Sequence, residues 1–191
     1  MSLYPYAIIF AGGKSSRMGK DKALLPFGKH SSLAAYQCEK LKKVFHTVFI
    51  SAKEDKFDFE CQVISDIYEV SSPLVGILSI FETHEALDAV FILSVDAPFV
   101  EEAVIHTIMK ETDQTFDAIV AKTSHGLQPL CGLYRRSILK QAHIQFKENN
   151  HKLQDLLALV KTKIVTFEDD SSFTNLNHPK EYEDALKRSL T

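Results

Sequence analysis

The stretch AIIFAGGKSSRMGKDKALLPF, residues 7–27, joins a continuous apolar run to two adjacent glycines and a basic segment. An apolar run without alternating polar residues, here at 6–10, is typical of a central parallel strand that is covered on both faces. Gly12 and Gly13 follow this run, and backbone without side chains can approach an anion closely with successive N–H groups. The charged residues that come next are Lys14, Arg17, Lys20, Asp21 and Lys22. The stretch therefore predicts a parallel sheet with a phosphate-binding loop at the end of one strand.

Short apolar segments alternate with helical patterns along the rest of the chain. The other predicted strands lie at 46–51, 62–64, 89–95, 117–122, 129–134 and 163–167. The predicted helices lie at 32–45, 74–83, 99–111, 137–148, 153–161 and 179–189. This alternation predicts an α/β fold with a mostly parallel central sheet. Because the chain has 191 residues and no segment that looks like a linker, we expect a single domain, 1–191.

Composition argues against several classes of protein. A formal net charge of -3 provides no global positive field for binding nucleic acid. The sequence contains neither the basic start of a signal peptide nor the roughly 20 apolar residues of a membrane helix. The three cysteines, Cys38, Cys61 and Cys131, are far apart, so we expect free thiols and no zinc site. We expect a cytoplasmic protein that binds neither nucleic acid nor membrane.

The glycine-rich loop fits neither of the two commonest phosphate-binding patterns. A Walker A loop needs four residues between its glycines, then Lys and Ser or Thr, whereas five residues separate Gly13 from Gly19. The dinucleotide pattern GxGxxG fails as well, because the glycines stand at 12, 13 and 19. The simpler alternative is a tight glycine turn with solvated cations, but four cations beside a glycine pair are more than a turn requires.

The segment AGGKSSRMGKDKALLPFGK, residues 11–29, resembles the signature of the MobA-type molybdenum cofactor guanylyltransferases, a family of nucleotidyltransferases. It matches the family pattern A-G-G-x-S-x-R-M-G-x-D-K-A-x-L-P at every specified position. The resemblance implies a Rossmann-like three-layer nucleotidyltransferase fold. It also implies an enzyme that transfers GMP from GTP to Mo-molybdopterin, forms the guanine dinucleotide cofactor and releases pyrophosphate.

Asp96 directly follows the predicted strand at 89–95 and precedes Pro98. A carboxylate at this position faces the ligand crevice of an α/β sheet or caps the next helix, and the spacing alone leaves both roles open. The resemblance implies the first role, because the family carries a D-T-P-F/Y segment whose Asp ligates Mg²⁺ and contacts the nucleotide. This chain has Ala97 where Thr is usual. Transfer to a phosphate nucleophile needs charge neutralisation rather than a strong base, which suits Mg²⁺ as cofactor.

The resemblance extends to further blocks and assigns roles residue by residue. It implies that the nucleotide is bound by Phe10, Ala11, Gly12, Gly13, Lys22, Ser51, Asp66 and Asp96. It implies catalytic roles for Arg17, Lys22 and Asp96, the two cations by neutralising the triphosphate. In FTNLNHPKEY, residues 173–182, it implies that Asn175 and Asn177 contact the acceptor. A helix cap ahead of Pro179 remains an equal alternative for Asn177.

Three alternative functions stay open at the level of sequence. The first is the same reaction with CTP, because base choice rests on backbone geometry and a few side chains. The second is another small-substrate nucleotidyltransferase, such as a sugar-1-phosphate enzyme, for which 191 residues leave little room. The third is a nucleotide-binding module without catalysis. The expected partners are GTP and Mo-molybdopterin, and beyond them molybdoenzymes or other proteins of cofactor biosynthesis.

Overall fold

A seven-stranded sheet is the centre of the computed structural model, which describes residues 3–12 and 21–189. Its strands are β1 (Tyr4–Phe10), β2 (Phe45–Ala52), β3 (Gln62–Ser65), β4 (Ala89–Ser94), β5 (Ala118–Thr123), β6 (Gly126–Arg135) and β7 (Thr162–Thr166). Each of the seven predicted strands corresponds to one of these, and the ends differ by a few residues.

The order of the strands creates a crevice beside β1. The order is β3-β2-β1-β4-β6-β5-β7. β1 is parallel to β2 and β4, so that Ile9 lies opposite Ile50 on one side and Leu93 on the other. β3 is parallel to β2 and β7 to β5, whereas β6 is antiparallel to both of its neighbours. Because the chain leaves β1 towards β3 and returns to β4 on the other side, a crevice opens at the carboxyl ends of β1 and β4.

Helices cover both faces of the sheet. Within the described residues they are α1 (Leu33–Lys42), α2 (Pro73–Thr83), α3 (Glu102–Lys110), α4 (Leu139–Lys147), α5 (Leu153–Leu159) and α6 (Pro179–Ser189). The core residues of α1, α3 and α6 lie on one face, and those of α2, α4 and α5 lie on the other. In β1, Ala7 and Ile9 belong to the first core and Ile8 and Phe10 to the second. The uninterrupted apolar run thus reflects burial on both faces, and the predicted three-layer fold is confirmed.

The start of α3 differs from the sequence prediction. The helix begins at Glu102, with Glu101 at its N-cap position, rather than at residue 99. The carbonyl groups just before it bond to side chains of α1 instead of continuing a helix. Gln37 Nε2 donates to the carbonyl oxygen of Ala97 at 3.0 Å, and Lys40 Nζ donates to that of Pro98 at 2.9 Å. Because these carbonyls bond to side chains of α1, α3 begins after Pro98 rather than at the residue that follows it directly.

Two expectations from composition can be compared with the structure. All three cysteines are free thiols, and Cys38 and Cys131 are buried, as the sequence predicts. Within residues 3–12 and 21–189, none of the helices is both long and apolar enough to cross a membrane.

Candidate active site

The carboxyl ends of β1 to β4 meet at one edge of the sheet, where their backbones remain bonded beyond the strands. The amide of Ala11 donates to Ser51 O at 2.9 Å, and the amide of Val95 donates to Phe10 O at 3.0 Å. At the end of β3, the amide of Asp66 donates to the carbonyl oxygen of residue 52 at 3.2 Å. The strands thus bring the predicted residues Phe10, Ala11, Gly12, Ser51, Asp66 and Asp96 to one groove.

The first part of the groove is a cavity of about 130 Å³ beside the start of α2. Its lining includes Phe10, Gly12, Ser51, Asp66, Ser71, Ser72, Pro73, Gly76 and Leu130. Glycine is needed at position 76, because an added Cβ would lie 2.5 Å from Cε1 of Phe10 and 3.2 Å from Oγ of Ser51. Burial raises the pKa of the Asp66 carboxyl above its usual value, and the nearby charge of Lys53 opposes this rise. The cavity therefore combines the aromatic ring of Phe10 with the partly desolvated carboxylate of Asp66, which can accept hydrogen bonds from N–H groups of a ligand.

The second part of the groove is a cavity of about 190 Å³ that contains the ion pair between Lys22 and Asp96. Nζ of Lys22 lies 2.5 Å from Oδ2 of Asp96 and donates to Oδ1 of Asn177 at 3.2 Å. Both members of the ion pair are largely buried, with 18% and 16% of their side chains exposed. A salt bridge of this burial is screened less than a surface pair, so it fixes both groups at the centre of the groove.

Two hydrogen bonds hold Asp96 in position, one to its carboxylate and one to its backbone carbonyl. Oγ of Ser94 donates to its Oδ1 at 2.6 Å, and the backbone amide of Leu176 donates to the Asp96 carbonyl oxygen at 2.8 Å. Asp96 does not cap α3, because the N-cap position belongs to Glu101. The helix-cap alternative for Asp96 is therefore wrong. Ser94 was not predicted as a site residue, although a polar residue at the end of an apolar strand is a signal that could have found it.

Lys56 is a second cation at the groove that the sequence prediction missed. Its ammonium group forms an ion pair with Asp21 and lies 3.4 Å from the carbonyl oxygen of Ala11. Asp21 also accepts a hydrogen bond from the amide of Ala23 at 3.0 Å and so caps the short 3₁₀ turn that carries Lys22. Lys56 follows β2 at a position without any motif, so only the tertiary structure reveals its contacts.

The groove continues towards the segment between β7 and α6. One cavity beyond Asp96 is lined by Gln128, Phe173 and Asn175, and the next adds Asn177 and Glu181. The backbone amides of residues 177 and 178 donate to Oε2 of Glu181 at 2.6 and 2.9 Å. Because Oδ1 of Asn177 accepts a hydrogen bond from Lys22, the geometry favours a site role for Asn177 over a helix cap.

Two predicted site residues cannot be compared with the structure. Gly13 and Arg17 lie outside the described residues, as do Lys14 and Lys20. The prediction that Arg17 neutralises the triphosphate and that Gly13 binds the nucleotide stays a prediction.

The described residues contain no group of three or more His, Cys, Asp or Glu side chains that could hold a metal ion. Asp96 is the carboxylate at the centre of the groove, where its Oδ2 already faces a cation.

Comparison with known protein families identifies the family to which the chain belongs. The model of the MobA-like NTP transferase domain matches residues 7–165. The chain belongs to the MobA-like NTP transferase family. This MobA-like protein is therefore a nucleotidyltransferase, and the family predicted from its glycine-rich segment is confirmed.

Individual relatives of this MobA-like protein support the same assignment. A Campylobacter jejuni protein named molybdenum cofactor guanylyltransferase is 40% identical over 178 residues, which cover 92% of each chain. A Helicobacter pylori protein of the same name is 31% identical over 185 residues, covering 94% of this chain and 87% of the relative.

Solved structures show the same fold at low sequence identity. Molybdopterin-guanine dinucleotide biosynthesis protein A from Archaeoglobus fulgidus has a TM-score of 0.81 at 18% identity and covers 96% of this chain and 97% of its own. A 2-C-methyl-D-erythritol 4-phosphate cytidylyltransferase from Thermus thermophilus has a TM-score of 0.70 at 12% identity, covering 98% and 100%. Enzymes whose names refer to different nucleotides therefore share this fold, so the fold does not identify the nucleotide.

Proposed function

We propose that the protein transfers GMP from GTP to Mo-molybdopterin, forming the guanine dinucleotide cofactor and releasing pyrophosphate. The observation that carries the proposal is the identity of 40%, over 92% of both chains, with a protein named molybdenum cofactor guanylyltransferase. We propose GTP and Mo-molybdopterin as the substrates. The proposed protein partners are molybdoenzymes or other proteins of cofactor biosynthesis, and the proposed location is the cytoplasm.

We propose a position in the groove for each part of the two substrates. The guanine base would occupy the cavity beside Phe10, with the Asp66 carboxylate available to ring and exocyclic N–H groups. The triphosphate would extend towards Lys22. The acceptor would approach from the side of Asn175 and Asn177, on the far side of Asp96.

In the proposed reaction, a terminal phosphate oxygen of the pterin attacks the α-phosphorus of GTP, and the bond to pyrophosphate breaks. The nucleophile is already an anion, so no side chain has to remove a proton. Lys22 would leave its pair with Asp96 and place its ammonium group against the leaving phosphates. Arg17 is proposed to share this role.

The residues present fit Mg²⁺ as the proposed cofactor. The Asp96 carboxylate and the side-chain oxygen of Asn177 both face the cationic Nζ of Lys22, and both are oxygen ligands of the kind that Mg²⁺ prefers. We propose Asp96 as the residue that holds the ion. When bound, Mg²⁺ would neutralise charge on the phosphates of the nucleotide.

Substitution of Asp96 tests the function and the role of this residue together. With GTP, Mg²⁺ and Mo-molybdopterin, we expect the wild-type protein to form the guanine dinucleotide and one pyrophosphate for each product. We expect Asp96→Asn to lower kcat at least ~100-fold, because charge stabilisation at the reacting phosphate is lost. Asp184→Asn is the matched control, since this carboxylate lies on α6 and is mostly exposed.

The outcomes separate the alternatives. Full activity of Asp96→Asn would contradict its proposed role, whereas binding of GTP without any product from wild-type protein would favour a binding module. A higher kcat/KM with CTP than with GTP would replace guanine by cytosine and keep the mechanism.

A further inference from the structure

Gln37 is a fully buried polar side chain on the face of α1 that packs against the sheet. It is 0% exposed, and its neighbours on this face, such as Ala34 and Leu41, are core residues. A buried amide is unfavourable unless its polar atoms find partners. The position therefore calls for a physical reason beyond packing.

The partners of Gln37 are the backbone carbonyls on either side of Asp96. Its Nε2 lies 3.2 Å from the carbonyl oxygen of Ser94, 3.3 Å from that of Val95 and 3.0 Å from that of Ala97. The pairing of β4 with β6 ends at Leu93, so these carbonyls lie beyond the sheet ladder on that side. Because carbonyl oxygens only accept hydrogen bonds, the NH₂ group of the amide must face them.

The other end of the amide has no such partner. Oε1 of Gln37 is buried without a hydrogen-bond partner in the part of the chain that the structure describes. An apolar side chain of similar length would avoid this unpaired oxygen. The amide is thus unfavourable for α1 itself and favourable for the segment that carries Asp96.

We propose that Gln37 is a positioning residue for the reaction, because it fixes the backbone of residues 94–97 and thereby the Asp96 carboxylate. The inference rests on the proposed role of Asp96. Three sets of hydrogen bonds hold this segment. The amide of Val95 donates to the Phe10 carbonyl, and the amide of Leu176 donates to the Asp96 carbonyl. The third set comes from Nε2 of Gln37, which donates to the backbone carbonyls of the segment. Removing the contact from α1 leaves the carboxylate free to shift relative to Lys22.

The test compares two buried glutamines whose Nε2 donates to backbone carbonyl oxygens, three for Gln37 and one for Gln145. Gln145 on α4 is 1% exposed, donates from Nε2 to Lys152 O at 2.9 Å, and also has a buried Oε1 without a partner among the described residues. It lies on the opposite face of the sheet from α1. Gln37→Met and Gln145→Met therefore remove the same kind of buried hydrogen bond.

We expect both variants to lower Tm by a similar amount, about 2–8 °C. We expect Gln37→Met alone to lower kcat for dinucleotide formation about 10–100-fold, with KM for GTP changed less than about threefold, because misplacement of a catalytic group slows the chemical step. Equal kcat values for Gln37→Met and wild type would overturn the proposal. An equal loss of kcat in both variants would overturn it as well, since it would indicate a general effect of destabilisation.

A second measurement does not depend on turnover. Hydrogen exchange at the amides of Val95 and Ala97, which donate to Phe10 O and Ser94 O, should become faster in Gln37→Met and stay unchanged in Gln145→Met. Unchanged exchange in Gln37→Met would overturn the positioning role even if the wild-type enzyme is active. Wild-type protein that forms no dinucleotide would contradict the proposed function instead, and the exchange result would still decide whether Gln37 positions this segment.

Discussion

At the scale of single residues, Gly76 shows how the absence of a side chain shapes the cavity beside Phe10. The residue lies in α2, where alanine is intrinsically about 1 kcal/mol more favourable than glycine. The ring of Phe10, which is 6% exposed and packed in the core, leaves no space for that methyl group. At position 76, the close approach of the Phe10 ring therefore favours glycine although alanine is the better helix former.

We expect Gly76→Ala to lower stability by about 1–3 kcal/mol, since an overpacked core forces side chains out of position. We also expect weaker GTP binding by about tenfold, because the displaced Phe10 ring moves towards the base cavity. Thermal unfolding and calorimetric titration measure the two effects. Gly12→Ala is the control for stability, because an added Cβ there meets no atom of the described residues within 4 Å. A higher Tm for Gly76→Ala with unchanged GTP affinity would show that the clash is absent.

Lys40 gives the protein a predictable response to pH. Burial lowers the pKa of its ammonium group to about 7 from 10.5, and the nearby Cys131, Glu102 and Glu101 oppose this shift. Between these two values the unfolded chain binds more protons than the folded protein, so folding becomes less favourable as the pH falls through this window. The effect is absent well above pH 10.5 and complete below about pH 7.

We therefore expect Lys40→Met to gain stability relative to wild type as the pH falls. The difference in unfolding free energy between variant and wild type should be about 3–4 kcal/mol more favourable to the variant at pH 7 than at pH 10. Urea unfolding at the two pH values measures this. Lys42→Met, an exposed position on the same helix, should show the same difference at both. A Lys40→Met difference that does not vary with pH would rule out the shift.

At the scale of elements, the start of α6 connects the fold to the part of the groove that Asn175 and Asn177 line. Glu181 accepts bonds from the amides of residues 177 and 178, and these bonds hold Asn177 where its side chain meets Lys22. Hydrogen bonds to a charged acceptor contribute about 1.5–3 kcal/mol. The first turn of the helix thereby orients a residue outside it.

We expect Glu181→Ala to lower the unfolding free energy by about 1–3 kcal/mol and to raise KM for the pterin acceptor more than KM for GTP. Glu183→Ala, an exposed position in the same helix, should change neither quantity. Steady-state kinetics with each substrate varied in turn, together with urea unfolding, distinguish the cases. An equal rise of both KM values would indicate that the segment does not act on the acceptor alone.

The elements themselves could be predicted because their signals are local. Burial on both faces leaves uninterrupted apolar runs such as 6–10, and Pro179 marks the start of α6 at the predicted residue. The antiparallel direction of β6 and the late start of α3 depend on contacts between distant segments, so the local pattern does not contain them.

The candidate site divides in the same way. Lys22 and Asp96 follow from a motif and from a strand end, and the structure places them in one ion pair. Lys56 and Gln37 lie in segments without a motif, and they reach the groove only through tertiary packing. From the sequence, Asn177 could be either a helix cap or a site residue, because its side chain suits both roles. The residue whose contact distinguishes the two roles is Lys22, which lies 155 positions away in the chain.

At the scale of the whole molecule, the groove is distributed over elements that come together only in the folded chain. Its walls come from the ends of β1 to β4, the start of α2, the first half of β6 and the segment before α6. The net charge of -3 is no guide to this site, because the cations that matter are local. A ligand that fills the groove therefore binds the folded protein and not the unfolded chain, and it must stabilise the entire fold.

We expect GTP to raise Tm without any acceptor present. At a concentration of 100 times Kd, the unfolding free energy rises by about 2.7 kcal/mol, which corresponds to about 5–11 °C for a chain of this size. At equal concentrations, CTP should give a smaller shift, because the base cavity and the Asp66 carboxylate are proposed to suit guanine. Asp66→Asn should reduce the difference between the two nucleotides, whereas Glu54→Gln, at an exposed position after β2, should preserve it. Equal shifts for GTP and CTP with the wild-type protein would show that the groove binds nucleotides without selecting guanine, and base selection would then have to arise in the transfer step.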